Sequence, residues 1–127
     1  MAIRTELSVR LQNSPGALSR VCQSLVDERV NIIALAVEGG GTLRMVVDNP
    51  LHAVGTLEEQ EYSVEQRDVL FVQLPNEPGA LGRAAQMLSN ADVNVEYAYA
   101  SALEDQTMAV VVVGVEDAQR ASMSAGV

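Results

Sequence analysis

The residues best suited to binding a small molecule lie in one short segment that the chain contains twice. The first copy is Asn13-Ser14-Pro15-Gly16-Ala17-Leu18-Ser19-Arg20, and the second is Asn76-Glu77-Pro78-Gly79-Ala80-Leu81-Gly82-Arg83. In each copy the asparagine amide can donate to a carboxylate and accept from an ammonium, and the glycine lets a ligand approach the backbone. The free N–H groups of a helix that starts there attract anions. These residue types predict a site for a molecule that carries a carboxylate.

A second asparagine also repeats, at the same offset along the chain that relates Asn13 to Asn76. Asn31 and Asn94 each follow a valine and begin a predicted second strand. The intervening helix returns the chain to the opposite end of the sheet, so neither asparagine is expected beside the loop of its own unit. An Asn-x-Pro-Gly segment is also an ordinary turn and helix start, and Val-Asn is an ordinary helix exit. Gene duplication alone would explain why both occur twice. The residues by themselves favour binding and scaffold roles about equally.

The composition disfavours most catalytic and nucleic-acid chemistry. The formal net charge is −9 and all eight basic residues are arginine, so the acidic surface repels a nucleic-acid backbone and no lysine is available for a Schiff base or a P-loop. His52, the single histidine, lies in a predicted exposed helical turn. Cys22, the single cysteine, is predicted to be a buried core residue. We therefore predict no metal and no cofactor, and no convergent catalytic group is visible in the sequence.

Targeting signals are also missing from the sequence. No apolar run approaches the roughly 20 residues of a membrane span. The N-terminal residues lack the charged-then-apolar pattern of a secretion signal. A cytoplasmic protein without a membrane partner is the expectation.

Each loop lies between a strand and a helix of a repeated unit. Alternating apolar residues predict first strands at 5–11 and 69–74, and apolar residues on one helix face predict helices from Pro15 to about Arg29 and from Pro78 to about Asp92. Further strands are predicted at 31–37, 42–47, 62–67, 94–100 and 107–113, and second helices at 51–60 and 116–124. Ser14 is a favourable N-cap. The order β-α-β-β-α-β predicts an α+β fold of two tandem ferredoxin-like units, with antiparallel sheets and helices on one face.

The second unit is shorter than the first. The offset places the units at residues 1–67 and 68–127, and without a gap it matches Met45 to Met108 and Val47 to Val110. The second unit ends without its last strand, which in this fold lies beside the first strand, so the edge of residues 69–74 would be left open. We predict that a partner subunit or a rearranged neighbouring strand covers this edge.

The repeated motif resembles a known family. Residues 7–21 followed by Val30-Asn31-Ile32 resemble an ACT domain, and especially the one in regulatory subunits of acetolactate synthase. Residues 71–83 with Val93-Asn94-Val95 resemble it again, so the resemblance covers nearly the whole chain as a tandem pair.

The resemblance implies a sensor of small molecules, typically amino acids, without catalysis of its own. ACT units commonly pair edge to edge through their second strands, and the effector lies between the Pro-Gly loop of one unit and the start of the second strand of the other. A homodimer and a regulated partner, such as an enzyme of amino-acid biosynthesis, are then expected. The ligand-binding positions carried over in this way are Asn13, Ser14, Pro15, Gly16, Ala17, Leu18, Asn31 and Ile32, and in the second unit Asn76, Glu77, Pro78, Gly79, Ala80, Leu81, Asn94 and Val95.

Other functions remain to be compared with this one. An RNA-recognition module shares the element order, but it needs exposed aromatic residues and a basic face. A small acid–base enzyme needs convergent catalytic groups, and the sequence shows none. The main alternative is a dimerisation scaffold that keeps the fold without binding a ligand.

Overall fold

The computed structural model describes residues 1–125, and in this part of the chain there are six strands and four helices. They are β1 (Ala2–Arg10), α1 (Ala17–Asp27), β2 (Ile32–Val37), β3 (Thr42–Val47), α2 (Pro50–Glu59), β4 (Val64–Pro75), α3 (Ala80–Asn90), β5 (Tyr97–Ser101), β6 (Met108–Gly114) and α4 (Ala118–Ser124). The predicted α+β fold with antiparallel strands is confirmed. The strands predicted at 62–67 and 69–74 are one continuous strand, β4.

The chain divides into two compact units, which are hereafter the first and second units. The first unit is Thr5–Arg67, and the second unit is Met1–Arg4 together with the chain from Asp68 onward. The division falls inside β1 and inside β4, so each of these two strands contributes residues to both units.

The first unit is a four-stranded sheet with both of its helices packed on one face. Its strand order is β2-β3-β1-β4, and the pairs β1–β3 and β2–β3 are antiparallel. The alternating apolar residues of the strands meet the apolar stripes of the helices in one core, as period-2 and period-3.6 patterns require. This core contains Leu7, Val9, Leu43 and Met45 from the strands and Val21, Leu25, Ala53 and Leu57 from the helices.

Two side chains of the first unit depart from the sequence pattern. Cys22 is half-buried and not a full member of the core. Glu6, which alternates with the apolar Leu7 and Val9 along β1, is nevertheless completely buried, and its carboxylate accepts a hydrogen bond from Arg44 Nη1 at 3.3 Å. A buried carboxylate needs such a partner because its desolvation is costly.

The second unit is completed by the N-terminal end of the chain. Its strand order is β1-β4-β6-β5, in which β1 contributes Ala2–Arg4 only. Met1 and Ile3 pack against a core that contains Leu70, Val72, Leu88 and Val113, and the Arg4 guanidinium lies 4.7 Å from the centre of the Phe71 ring. No strand follows α4 among the described residues. β1 lies beside β4 instead, so of the two predicted covers for this edge, the rearranged neighbouring strand is the one observed.

β6, the counterpart of β3 in the second unit, has a different register from the one that the sequence predicted. Leu7 pairs with Met45 in the first unit, and Leu70, which the repeat matches to Leu7, pairs with Val113. Met45 therefore corresponds to Val113 and not to Met108, the residue that the alignment without gaps assigned to it. The extra residues lie in the β5–β6 hairpin, whose loop is longer than the turn between β2 and β3.

Candidate ligand-binding site

The first loop, residues 11–16, ends in a glycine that caps α1. Gly16 has φ of 84°, a left-handed conformation that glycine adopts without steric cost. No side chain caps the helix start, so the prediction that Ser14 is the N-cap is wrong. The Ala17 N–H donates to the Ser14 carbonyl at 3.3 Å, whereas the N–H groups of Leu18 and Ser19 make no hydrogen bond to a residue in 1–125. Such open N–H groups at a helix start attract anions.

An open cavity of about 1100 Å³ lies against the first loop. It is lined by residues 10–19 and by the β2–β3 turn, residues 37–41. The turn is held to the loop because the Leu11 N–H donates to the Gly41 carbonyl at 2.7 Å. Gly41 has φ of 90°, and a Cβ there would lie 3.2 Å from the Leu11 carbonyl oxygen, so glycine permits this close approach. All six candidate residues from Asn13 to Leu18, four in the loop and two at the start of α1, line this one cavity.

Two arginines beside the first loop were not among the predicted site residues. Arg10 lines the large cavity and also a neighbouring cavity of about 330 Å³, which Arg20 lines as well. Arg20 Nη2 lies 3.4 Å from Ser14 Oγ, and neither arginine forms an ion pair with any residue in 1–125. The Asn13 amide makes no hydrogen bond within the same residues. The first loop thus combines uncapped helical N–H groups with two available guanidinium groups.

The second loop, residues 76–79, has a similar backbone at its glycine but different side-chain contacts. Gly79 has φ of 87° and caps α3 without a side-chain hydrogen bond. The Asn76 amide donates to the carbonyls of Leu103 at 2.8 Å and Gln106 at 3.0 Å, both in the longer β5–β6 loop. Arg83 Nη2 forms an ion pair with Glu77 Oε1 at 2.9 Å. Asn76 and Arg83 are thus bonded within their own unit, whereas the equivalent residues of the first loop, Asn13 and Arg20, remain available.

The candidate strand residues lie apart from the loop of their own unit. The Asn31 N–H donates to Asp48 Oδ1 at 3.0 Å, and neither Asn31 nor Ile32 lines the cavity at the first loop. Asn94 lines a separate cavity of about 270 Å³ with Asp92, Asp117 and other residues of the second unit. Val95 is 41% exposed. The structure therefore brings together the candidate residues Asn13 to Leu18 but not Asn31, Ile32, Asn94 or Val95.

The second strands have edges to which no strand is bonded. Within the described residues, β2 is hydrogen-bonded to β3 and β5 is hydrogen-bonded to β6. On β2, Leu35 and Val37 are 40% and 48% exposed. Such an edge is available for pairing with another chain.

Other kinds of site find little support in residues 1–125. No cluster of three His, Cys, Asp or Glu side chains that could hold a metal ion occurs there. His52 is exposed, and its Nε2 lies 3.3 Å from Glu28 Oε1. None of the helices described has the length and apolar character needed to cross a membrane.

Comparison with known proteins connects this geometry to a family. The family described as an ACT domain pair matches residues 1–124. A crystal structure of a protein from Bacteroides thetaiotaomicron is 30% identical with a TM-score of 0.87, and the match covers 96% of this chain and 85% of that one. No curated protein matched the sequence.

Aspartate kinase regulatory regions share the fold at lower identity. The regulatory subunit of aspartate kinase from Thermus flavus is 16% identical with a TM-score of 0.65, and the match covers 98% of this chain and 93% of that one. Escherichia coli aspartokinase III, in complex with lysine and aspartate, is 16% identical with a TM-score of 0.60, and the match covers 98% of this chain but 31% of that one. The special likeness of the first repeat to acetolactate synthase regulatory subunits stays a prediction.

Proposed function

The chain belongs to the ACT domain family, and on that premise we propose that it is a regulatory module that binds an amino acid and controls a partner enzyme. The partner belongs to amino-acid biosynthesis, and the module itself carries no catalytic activity. The effector binds at the first loop, where residues 13–18 line the large open cavity.

The observation that carries this proposal is the combination of groups at the first loop. An amino acid presents a carboxylate, which matches the N–H groups at the start of α1 and the guanidinium groups of Arg10 and Arg20. It also presents an ammonium, which matches the Asn13 amide oxygen, whereas the Glu38 carboxylate in the same lining is already bonded to Arg44 Nε. Leu18 and Val37 offer apolar contact in the same cavity. The aspartokinase that shares this fold, in complex with lysine and aspartate, is consistent with this ligand class.

The remaining contacts to the effector come from another unit. Asn31 and Ile32 lie at the start of β2, and Asn94 and Val95 lie just before β5, which begins at Tyr97 and not at the predicted residue 94. Neither pair lines the cavity at the first loop. We propose a homodimer in which exposed second-strand edges pair and place these residues at the first loop of the partner. The effector then stabilises the paired arrangement through its higher affinity for it, and the partner enzyme responds to that change.

A thermal-shift screen tests the proposal directly. The full chain is heated with each of the common amino acids, and at least one should raise the melting temperature with increasing concentration. A ligand at about a hundredfold excess over its Kd adds about 2.7 kcal/mol to the free energy of unfolding. Arg10→Gln should reduce this shift, whereas Arg83→Gln, which removes an already paired arginine, should preserve it.

The alternative function is a dimerisation scaffold without a ligand. The second loop favours it, because its polar groups are bonded internally and leave the backbone motif intact. A folded, dimeric protein that responds to none of the amino acids would support the scaffold and contradict the sensor. The dimer is measured by light scattering after size exclusion.

A further inference from the structure

The two copies of the loop have the same fold and opposite availability of their charged groups. Arg10 in the first unit corresponds to Gln73 in the second, so one guanidinium is absent there. Ser14 corresponds to Glu77, and this exchange gives Arg83 a carboxylate partner at 2.9 Å where Arg20 has a hydroxyl at 3.4 Å. The first loop therefore carries two guanidinium groups without an ion pair in residues 1–125, whereas the arginine of the second loop is neutralised.

Loop length produces the second difference. The turn between β2 and β3 is short and leaves the Asn13 amide without a hydrogen bond to a described residue. The β5–β6 loop is longer, and its Leu103 and Gln106 carbonyls accept both hydrogen bonds that the Asn76 amide donates. Since the amide is held by its own unit, binding a ligand through Asn76 Nδ2 would require breaking these two bonds.

We propose that the second loop is closed by its own side chains, with the Glu77 carboxylate bound to Arg83 in place of an effector carboxylate. Each chain then offers one carboxylate site, at the first loop, and the second unit is a structural partner that does not respond to the effector. This inference rests on the function proposed above, and it names the residues that restrict that function to one of the two loops.

The test uses a probe that carries only the charged group in question, so that its result does not depend on which effector binds. Acetate carries the carboxylate alone, so it reports on the loops even when the natural effector is unknown. The ¹⁵N-labelled full chain is titrated with sodium acetate against sodium chloride at equal ionic strength, and the amide signals of Gly16, Ala17 and Leu18 are compared with those of Gly79, Ala80 and Leu81. The first group should shift with an affinity at least about tenfold higher than the second, because one charge-assisted hydrogen bond contributes about that factor.

Exchanging the residues at positions 14 and 77 should exchange the behaviour of the loops. Ser14→Glu places a carboxylate near Arg20 and should weaken the first response about tenfold, and Glu77→Ser should strengthen the response of Gly79. Ser89→Glu makes the same charge change at an exposed position of α3 and should leave the first response unaltered. Arg20→Gln removes the charge without adding one, and it should also weaken the first response.

The outcomes separate this inference from the proposed function. Equal responses in the two loops, no response in either, or no effect of Glu77→Ser would overturn the inference. Calorimetry with the amino acid found by thermal shift should give one site per chain, and two sites of equal affinity would overturn the inference while the sensor function stands. If acetate distinguishes the loops but no amino acid binds, the sensor function fails and the asymmetry of the loops remains.

Discussion

The two repeated loops show which features of the Asn-x-Pro-Gly motif are the same in both units and which are not. Gly16 and Gly79 have almost the same φ, 84° and 87°, and in both loops the first helical N–H donates to the carbonyl three residues earlier at 3.3 Å. This backbone is needed to connect a strand to a helix, whether or not a ligand binds. The side chains around it differ: they are open in the first loop and internally bonded in the second.

A second pair of equivalent positions shows the same divergence inside the sheet. Ala34 pairs with Val46 in the first unit, and Tyr97 pairs with Gly114 at the equivalent place in the second. A Cβ on Gly114 would lie 2.2 Å from the Tyr97 ring, so the small residue makes room for the large one. The larger residue of the pair, Val46, is on the inner strand in the first unit, whereas the larger one, Tyr97, is on the edge strand in the second, and the strands pair in the same way.

The largest effect is expected when Gly114 is replaced by valine, the residue at the equivalent position 46 of the first unit. Gly114→Val should lower the free energy of unfolding by about 1–3 kcal/mol, because the added side chain overlaps the Tyr97 ring. Tyr97→Ala in the same chain recreates the first unit's pair of alanine and valine and should recover part of this loss. Urea denaturation of the two single variants and the double variant gives the coupling energy. Additive losses would mean that the side chains at positions 97 and 114 do not compete for the same space.

The asparagines should differ in their contribution to stability. Asn76→Ala removes two hydrogen bonds to the β5–β6 loop and should cost about 1–2 kcal/mol. Asn13→Ala removes no hydrogen bond to a described residue and should change stability by less than about 0.5 kcal/mol. Equal losses for the two variants, measured by urea denaturation, would contradict the view that only the second loop is internally bonded.

The sequence predicts the element order well because that order depends on local periodicity. The apolar spacing of Val21 and Leu25, the alternation of Leu7 and Val9, and the Pro-Gly pairs each identify an element without reference to the rest of the chain. The constant offset between the two copies also identifies the first three elements of the second unit correctly. These features are local, so no tertiary information is required.

The register of β6 could not be read in the same way. Residues 108–113 are almost uniformly apolar, and a uniform run fits a sheet in several registers because no polar residue marks the outer face. The insertion in the β5–β6 loop was therefore invisible in an alignment without gaps. The strand at Ala2–Arg4 was missed for another reason, since its place beside β4 depends on chain ends that meet only in the folded molecule.

The charged groups of the site required the structure for their assignment. Arg20 and Arg83 belong to the repeated motif, but their side chains reach six residues back, to Ser14 and Glu77. The exchange of serine for glutamate beside a retained arginine was a signal in the sequence. Its meaning depended on the left-handed glycine, which turns the loop toward the arginine on the first turn of the helix.

The glycines should have equal effects because the backbone of the two loops is the same. Gly16→Ala and Gly79→Ala each force alanine into a left-handed conformation, which costs about 1–2 kcal/mol of stability. The added Cβ would also lie 3.3 Å and 3.2 Å from the guanidinium of Arg20 and Arg83, both long side chains that can move. Thermal denaturation should show matched losses, and a loss confined to one variant would show that the loops are not equivalent even in backbone.

The smallest effect on stability is expected for replacement of Arg20 or Arg83. The two variants should differ in which property changes, stability for Arg83 and acetate binding for Arg20. Arg83→Gln breaks an exposed ion pair, whose side chains are 62% and 56% exposed, and should cost about 0.2–1 kcal/mol at low salt and less at high salt. Arg20→Gln breaks no ion pair with a described residue and should leave stability within about 0.5 kcal/mol, while it weakens acetate binding at the first loop. A salt-dependent loss of stability in Arg20→Gln would show that this arginine is already paired, and the distinction between an open and a closed loop would then fail.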